Sequence, residues 1–152
     1  MPLDRRAPRQ VAVWIWTGML CMSAAFLVTT LTLAVPPRVA AWATPWLFWV
    51  SVAVAAAAVV LSRHLPLRIT PRQAGGRPEV VATARLLVGW SLCAGAGAFA
   101  LLARVASADP RLVGVFVLCQ FGVLTLYPSP SRWALMADLP DVPMAGPGRM
   151  VR

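Results

Sequence analysis

The apolar stretches of this chain hold almost nothing that ionises. No Asp, Glu, Lys or His lies in the interior of its four long hydrophobic runs, and the chain has no lysine at all. Its one histidine, His64, sits between two runs. A proton- or ion-coupled path through a bilayer needs an ionisable side chain facing the bundle interior. A haem held between helices needs axial ligands, which a single histidine outside the runs cannot supply as a pair. Zinc and di-iron centres need clustered His, Asp or Glu. No GxSxG, HExxH or phosphate-cradling glycine loop is present. Cys21, Cys93 and Cys119 stand far apart and form no CxxC, so each reads as a small apolar residue rather than half of a redox pair. The sequence predicts no catalytic residue, no metal site and no cofactor.

Charge is scarce throughout. Only 12% of the residues are charged and 59% are hydrophobic, whereas a soluble domain uses charge for about a quarter of its residues. Mean hydropathy is +0.72. So little polar surface cannot cover a core in water, and the chain reads as an all-α integral membrane protein. The charges present are one-sided, at a formal +9. Nucleic acid is not the predicted counter-charge, because the basic link at residues 63–79 has no aromatic side chain to stack on a base. Anionic lipid headgroups and the bilayer surface are.

The four runs set the architecture. The first, residues 11–35, is uncharged and exceeds the ~20 residues a spanning helix needs. It also exceeds the core of a cleaved signal, about 7–15 residues, so it is predicted to be retained. Pro36 and Pro37 stop it. The second span, 45–62, is predicted to start with Thr44 as cap and Pro45 in the first turn. The third, 80–103, follows Pro78 and is closed by Arg104. The fourth, 110–127, has Asp109 as cap and ends before Pro128 and Pro130. Two short links make spans 1–2 and 3–4 antiparallel hairpins, without any repeat between them. Residues 1–10 form a basic tail. Residues 128–152 form a largely irregular one, in which "SRWALMADL" has the makings of an interfacial helix with Trp133, Leu135 and Met136 towards lipid.

Arginine fixes the orientation. Arg5, Arg6, Arg9, Arg63, Arg68, Arg72, Arg77, Arg132, Arg149 and Arg152 fall on one side of a four-span arrangement, and Arg38, Arg104 and Arg111 on the other. The richer side is predicted to be cytoplasmic. Both termini and the 63–79 loop then face the cytoplasm, in the cytoplasmic (inner) membrane of a bacterial cell. The loop arginines Arg63, Arg68, Arg72 and Arg77 are candidate contacts for anionic lipid or a partner. Arg85, inside span 3, is a fifth, with a stem able to snorkel to the headgroups.

Small residues mark the predicted helix contacts. Gly89, Cys93 and Gly97 recur every four residues in span 3, and Ala53 and Ala57 lie within "AVAAAA" of span 2. Such spacing lets backbones approach closely. Gln120, the most polar residue near the middle of span 4, is predicted to hydrogen-bond across helices. Six of the seven tryptophans cluster at run ends as an interfacial belt would, and Trp90 lies deeper. These features predict a non-catalytic accessory, assembly or structural subunit that packs against other membrane proteins. A small oligomeric transporter or channel, lined by Gln120, Thr29, Thr30 and Thr32, is the alternative. An enzyme acting on an anionic lipid ranks below it, because no acid–base pair accompanies the arginines.

Overall fold

The computed structural model describes residues 6–33, 36, 38–69 and 77–137, and within them every regular element is a helix. The helices are α1 (Arg6–Thr32), α2 (Thr44–His64), α3 (Pro78–Ser107), α4 (Arg111–Thr125) and α5 (Pro130–Met136). Short 3-10 turns at Ala41–Ala43 and Pro66–Arg68 flank α2. Three helices are long and apolar enough to cross a membrane, and α4 with α5 makes a fourth candidate bent by 83°. The apolar helices point to a membrane-embedded protein.

Local chemistry explains most boundaries. Pro78 occupies the first turn of α3, behind Arg77 in an extended conformation. The helix continues past Arg104, which was expected to close it. It ends where Ala108 turns left-handed at φ 56° and donates its N–H to the Arg104 carbonyl. Asp109 then accepts from the Arg111 N–H at 2.9 Å, the capping bond expected of it. Thr44 does not cap α2. It is the first residue of the helix, which runs straight out of the 3-10 turn, while Pro45 sits in the first turn as expected.

The hub is α3, which touches α1, α2, α4 and α5. Half of its most apolar window is buried, against 17% for α2 and 6% for α1. Two core clusters lie along it. One joins Ala82, Leu86, Trp90 and Cys93 of α3 to Val123, Leu126, Trp133 and Met136. The other joins Ala96, Ala100 and Leu101 to Ala55 and Ala58 of α2 and to Val115, Phe116 and Cys119 of α4. The opposite flank of α1 faces outward, with Trp14, Met22 and Val28 exposed.

The predicted fourth span is not one continuous helix. Its first part, α4, has 15 residues, about 22 Å at 1.5 Å per residue, which falls short of the ~30 Å hydrocarbon layer. The chain then breaks at residues 126–129 and turns into α5. Ser129 caps α5 by accepting from the Arg132 N–H, and Pro130 fills the first position. Trp133 and Met136 were expected to face lipid. Both are buried in the core, and only Leu135 of the three is exposed. The bend is the reason, since it folds α5 back against α3.

Candidate functional site

A helix that stops inside an apolar slab leaves its last carbonyls without partners, and each bare one costs free energy. Here the carbonyls around the break are met by side chains from other helices. The Trp16 indole N–H donates to the Val123 carbonyl at 3.0 Å, and the Trp90 indole to Leu126 at 3.0 Å. Arg9 Nε donates to the Pro128 carbonyl at 3.0 Å. Arg132, from the first turn of α5, donates to the Thr125 carbonyl. Trp16 also meets the ring of Tyr127 edge to face at 5.0 Å. Two indoles and two guanidiniums thus replace the hydrogen bonds that a continued helix would have made. They also tether α1 and α3 to the α4–α5 junction.

Arg85 works one turn away. It is only 5% exposed, and its guanidinium turns to backbone carbonyls. Nη1 donates to the Met136 carbonyl at 2.7 Å, while Nη2 and Nε donate to the Ile69 carbonyl at 2.9 and 3.3 Å. A buried charge is tolerable only when hydrogen-bonded, and these carbonyls belong to the chain ends that emerge beside it. Arg85 holds the last turn of α5 and the chain after α2 against α3. Arg63, Arg68 and Arg77 are exposed at the same end of the bundle, and Arg72 lies outside the described residues.

The predicted helix-packing residues divide. Gly97 and Cys93 face α4 in a reciprocal arrangement. A methyl group at Gly97 would stand 3.1 Å from Cδ2 of Phe116 and 3.4 Å from Cβ of Cys119. One at Gly122, across the interface, would stand 2.8 Å from Sγ of Cys93. Gly122 is the hollow for Cys93, while Gly97 admits Phe116, Gln120 and Cys119 of α4. Gly89 admits different neighbours: the Leu126 side chain and the Ser62 carbonyl at the end of α2. Ala53 and Ala57 are exposed, and Ser51, Ala55, Ala58 and Ser62 form the buried face of α2 instead. The two serines satisfy their own hydroxyls on carbonyls one turn back.

Gln120 does not make the predicted interhelical bond. Its amide lies against Gly97 with oxygen and nitrogen both buried and without a hydrogen-bond partner. The hydroxyls of Thr29, Thr30 and Thr32 bond to carbonyls of α1 itself. At the far end of the bundle Arg104 Nη1 donates to the Thr30 carbonyl at 2.6 Å. That ties the last turns of α1 and α3 together. Sequence reasoning missed Gly122, the Ser51–Ser62 face and the carbonyl-bonding roles of Trp16, Arg9, Arg132 and Arg104. For Gly122 a signal existed, since it lies one turn beyond Cys119 in a span with few other small residues.

Among the described residues no three His, Cys, Asp or Glu side chains gather as a metal site would require. Comparison with protein-family models, curated proteins and solved structures finds no match to this chain.

Proposed function

We propose that this chain is a non-catalytic accessory or assembly subunit of a larger membrane complex. In this reading it lies in the cytoplasmic membrane with four spans, the bent α4–α5 pair supplying the last. Both termini and the 63–79 loop face the cytoplasm, as the arginine excess at that end favours. One observation carries the proposal. α1 is an apolar helix of 27 residues that leans chiefly on α3 and buries only 6% of its most apolar window. Beside it runs a groove of about 550 Å³ whose walls include Gly18, Met22, Ser23 and Phe26 of α1 and Ala94 and Ala98 of α3. Lipid tails gain little from filling such a groove, whereas small residues let a second helix approach closely enough for dispersion to hold it.

Native mass spectrometry from mild detergent tests the reading, with a photo-crosslinker in place of Gly18 as a second probe. A defined heteromeric complex, crosslinked through α1 to the same subunit, is expected. A monomer or homo-oligomer that crosslinks only to lipid or to itself would refute it. Reporter fusions at residues 10, 40, 75, 107 and 152 should read in, out, in, out, in. An extracytoplasmic carboxyl terminus would overturn the topology.

A further inference from the structure

On the flank of α1 away from the groove, a second hollow lies where the helix meets the α4–α5 break. Its volume is about 560 Å³ and its walls are Arg9, Gln10, Val13 and Tyr127. Three of these four residues carry hydrogen-bond donors. The Arg9 side chain is fixed through Nε on the Pro128 carbonyl. Its two Nη groups, the Gln10 amide and the Tyr127 hydroxyl have no hydrogen-bond partner among the described residues. Tyr127 is held in place by the edge of Trp16. The hollow is thus a preformed set of donors around one fixed positive charge.

The surroundings select the ligand's sign. Arg63, Arg68, Arg77, Arg85 and Arg132 belong to the same end of the bundle, since Gly89 packs on the end of α2 and on Leu126, and Arg85 bonds to Ile69 and Met136. The described carboxylates are those of Glu79 and Asp109. Asp109 lies in the link at the opposite end, and Glu79 forms no ion pair with Arg9. A guanidinium with free terminal nitrogens matches a phosphate, which accepts a fork of two hydrogen bonds.

The position selects the source. Arg9 lies in the first turns of α1, one turn from Val13, and the neighbouring Trp14 is 69% exposed. Exposed tryptophan at a helix end marks the level of the headgroups. A phosphate seated here would lead its glycerol and first methylenes over Val13 and the Tyr127 ring into the apolar layer. A zwitterionic lipid would bring an ammonium group towards an end that is already basic. We propose that the hollow bounded by Arg9, Gln10, Val13 and Tyr127 binds the phosphate of an anionic phospholipid. The bound headgroup would bridge α1 to the α4–α5 junction, adding a contact to the least buried of the three long apolar helices.

The test uses the full chain in detergent, with phosphatidylglycerol, phosphatidylcholine or inorganic phosphate as separate probes, read by native mass spectrometry and thermal stability. Phosphatidylglycerol should remain bound and raise the melting temperature, and phosphatidylcholine should do neither. Arg9→Gln should weaken phosphatidylglycerol retention by about tenfold or more, the loss of one charge-assisted hydrogen bond. Arg111→Gln, at the opposite end, should not. Because Arg9 also anchors Pro128, a Gln10→Leu, Tyr127→Phe double variant is measured in parallel. It keeps that anchor, and its retention should fall while its lipid-free stability is unchanged. Equal retention of the two lipids, or unaltered retention in the double variant, would overturn the proposal. Competition by inorganic phosphate at the same site would overturn the lipid as occupant and assign a soluble phosphate ligand.

Discussion

At the scale of single residues, two polar side chains in the bundle interior have opposite consequences. The Gln120 amide is buried without a partner, and an unmet amide in an apolar setting costs about 1–3 kcal/mol. Gln120→Leu removes the two orphan atoms and keeps most of the volume. It should raise the unfolding free energy in detergent by about 1–2 kcal/mol, seen as a higher melting temperature. A drop would mean that the amide has a partner in the assembled complex. Arg85 is the reverse case. Arg85→Met leaves the Ile69 and Met136 carbonyls bare and should cost about 3 kcal/mol, on the scale of a few buried hydrogen bonds. Arg85→Lys should recover only part of this, because an ammonium cannot fork between two carbonyls as a guanidinium does. Limited proteolysis gives a local readout, and cleavage within residues 130–137 should rise in both variants, most in Arg85→Met. The depth of Arg85 was legible in the sequence but its direction was not. The carbonyls it serves come from positions 16 and 51 residues away, and such distant neighbours leave no local signal.

At the scale of helices, the α3–α4 contact is a pair of interlocked hollows. Gly122→Ala would place a methyl 2.8 Å from the Cys93 sulfur, closer than atoms pack, and the strain should cost about 1–3 kcal/mol. Cys93→Ala removes the obstructing sulfur. Combined with Gly122→Ala it should cost less than the sum of the two changes, with a coupling of about 1 kcal/mol or more. Strict additivity in thermal melts would show that the two residues do not interlock. The α2 face offers a contrasting test. Ala55→Leu overfills a fully buried site and should destabilise by about 1–3 kcal/mol, while Ala53→Leu points outward and should be nearly neutral. If the two match, α2 is rotated from the position described. The four-residue spacing of Gly89, Cys93 and Gly97 was legible because a glycine stands at each end of it, although alanines crowd the same stretch. In "AVAAAA" every helical phase offers small residues, so spacing does not pick a face, and the buried alanines are Ala55 and Ala58 rather than Ala53 and Ala57. The end of α4 was obscured for another reason. Apolar residues continue through Leu126 and Tyr127; Pro128 bars the helix from continuing, and the distant indole and guanidinium donors meet carbonyls that the break leaves open.

At the scale of the whole molecule, stability is distributed unevenly. The buried surface is concentrated on α3 and its contacts with α2 and α4, and α1 is the least buried long helix, held by Ala12 and its neighbours in the core and by side-chain bonds through Arg9, Trp16 and Arg104. Elements with few buried contacts open first. Hydrogen exchange in detergent should therefore release α1 before α3, and an anionic lipid seated by Arg9 should narrow the gap. If α1 is protected as well as α3 without lipid or partner, it is a full member of the core. The all-helical fold and the approximate limits of the first three spans were legible because a bilayer imposes length and polarity on each run separately. The loose seat of α1 was not, since its composition is as apolar as that of a buried helix.

The capped break also bears on how the protein is made. Trp16, Arg9 and Trp90 all precede the carbonyls they serve, so a ribosome delivers the donors before the acceptors. When α4 enters the membrane, the indole donors for its Val123 and Leu126 carbonyls are already present on α1 and α3, and the Thr125 carbonyl waits only for Arg132 of α5. Reordering the helices by circular permutation, with every native contact preserved on paper, would force α4 in first. Such a chain should insert poorly or stall with residues 126–137 outside the bilayer.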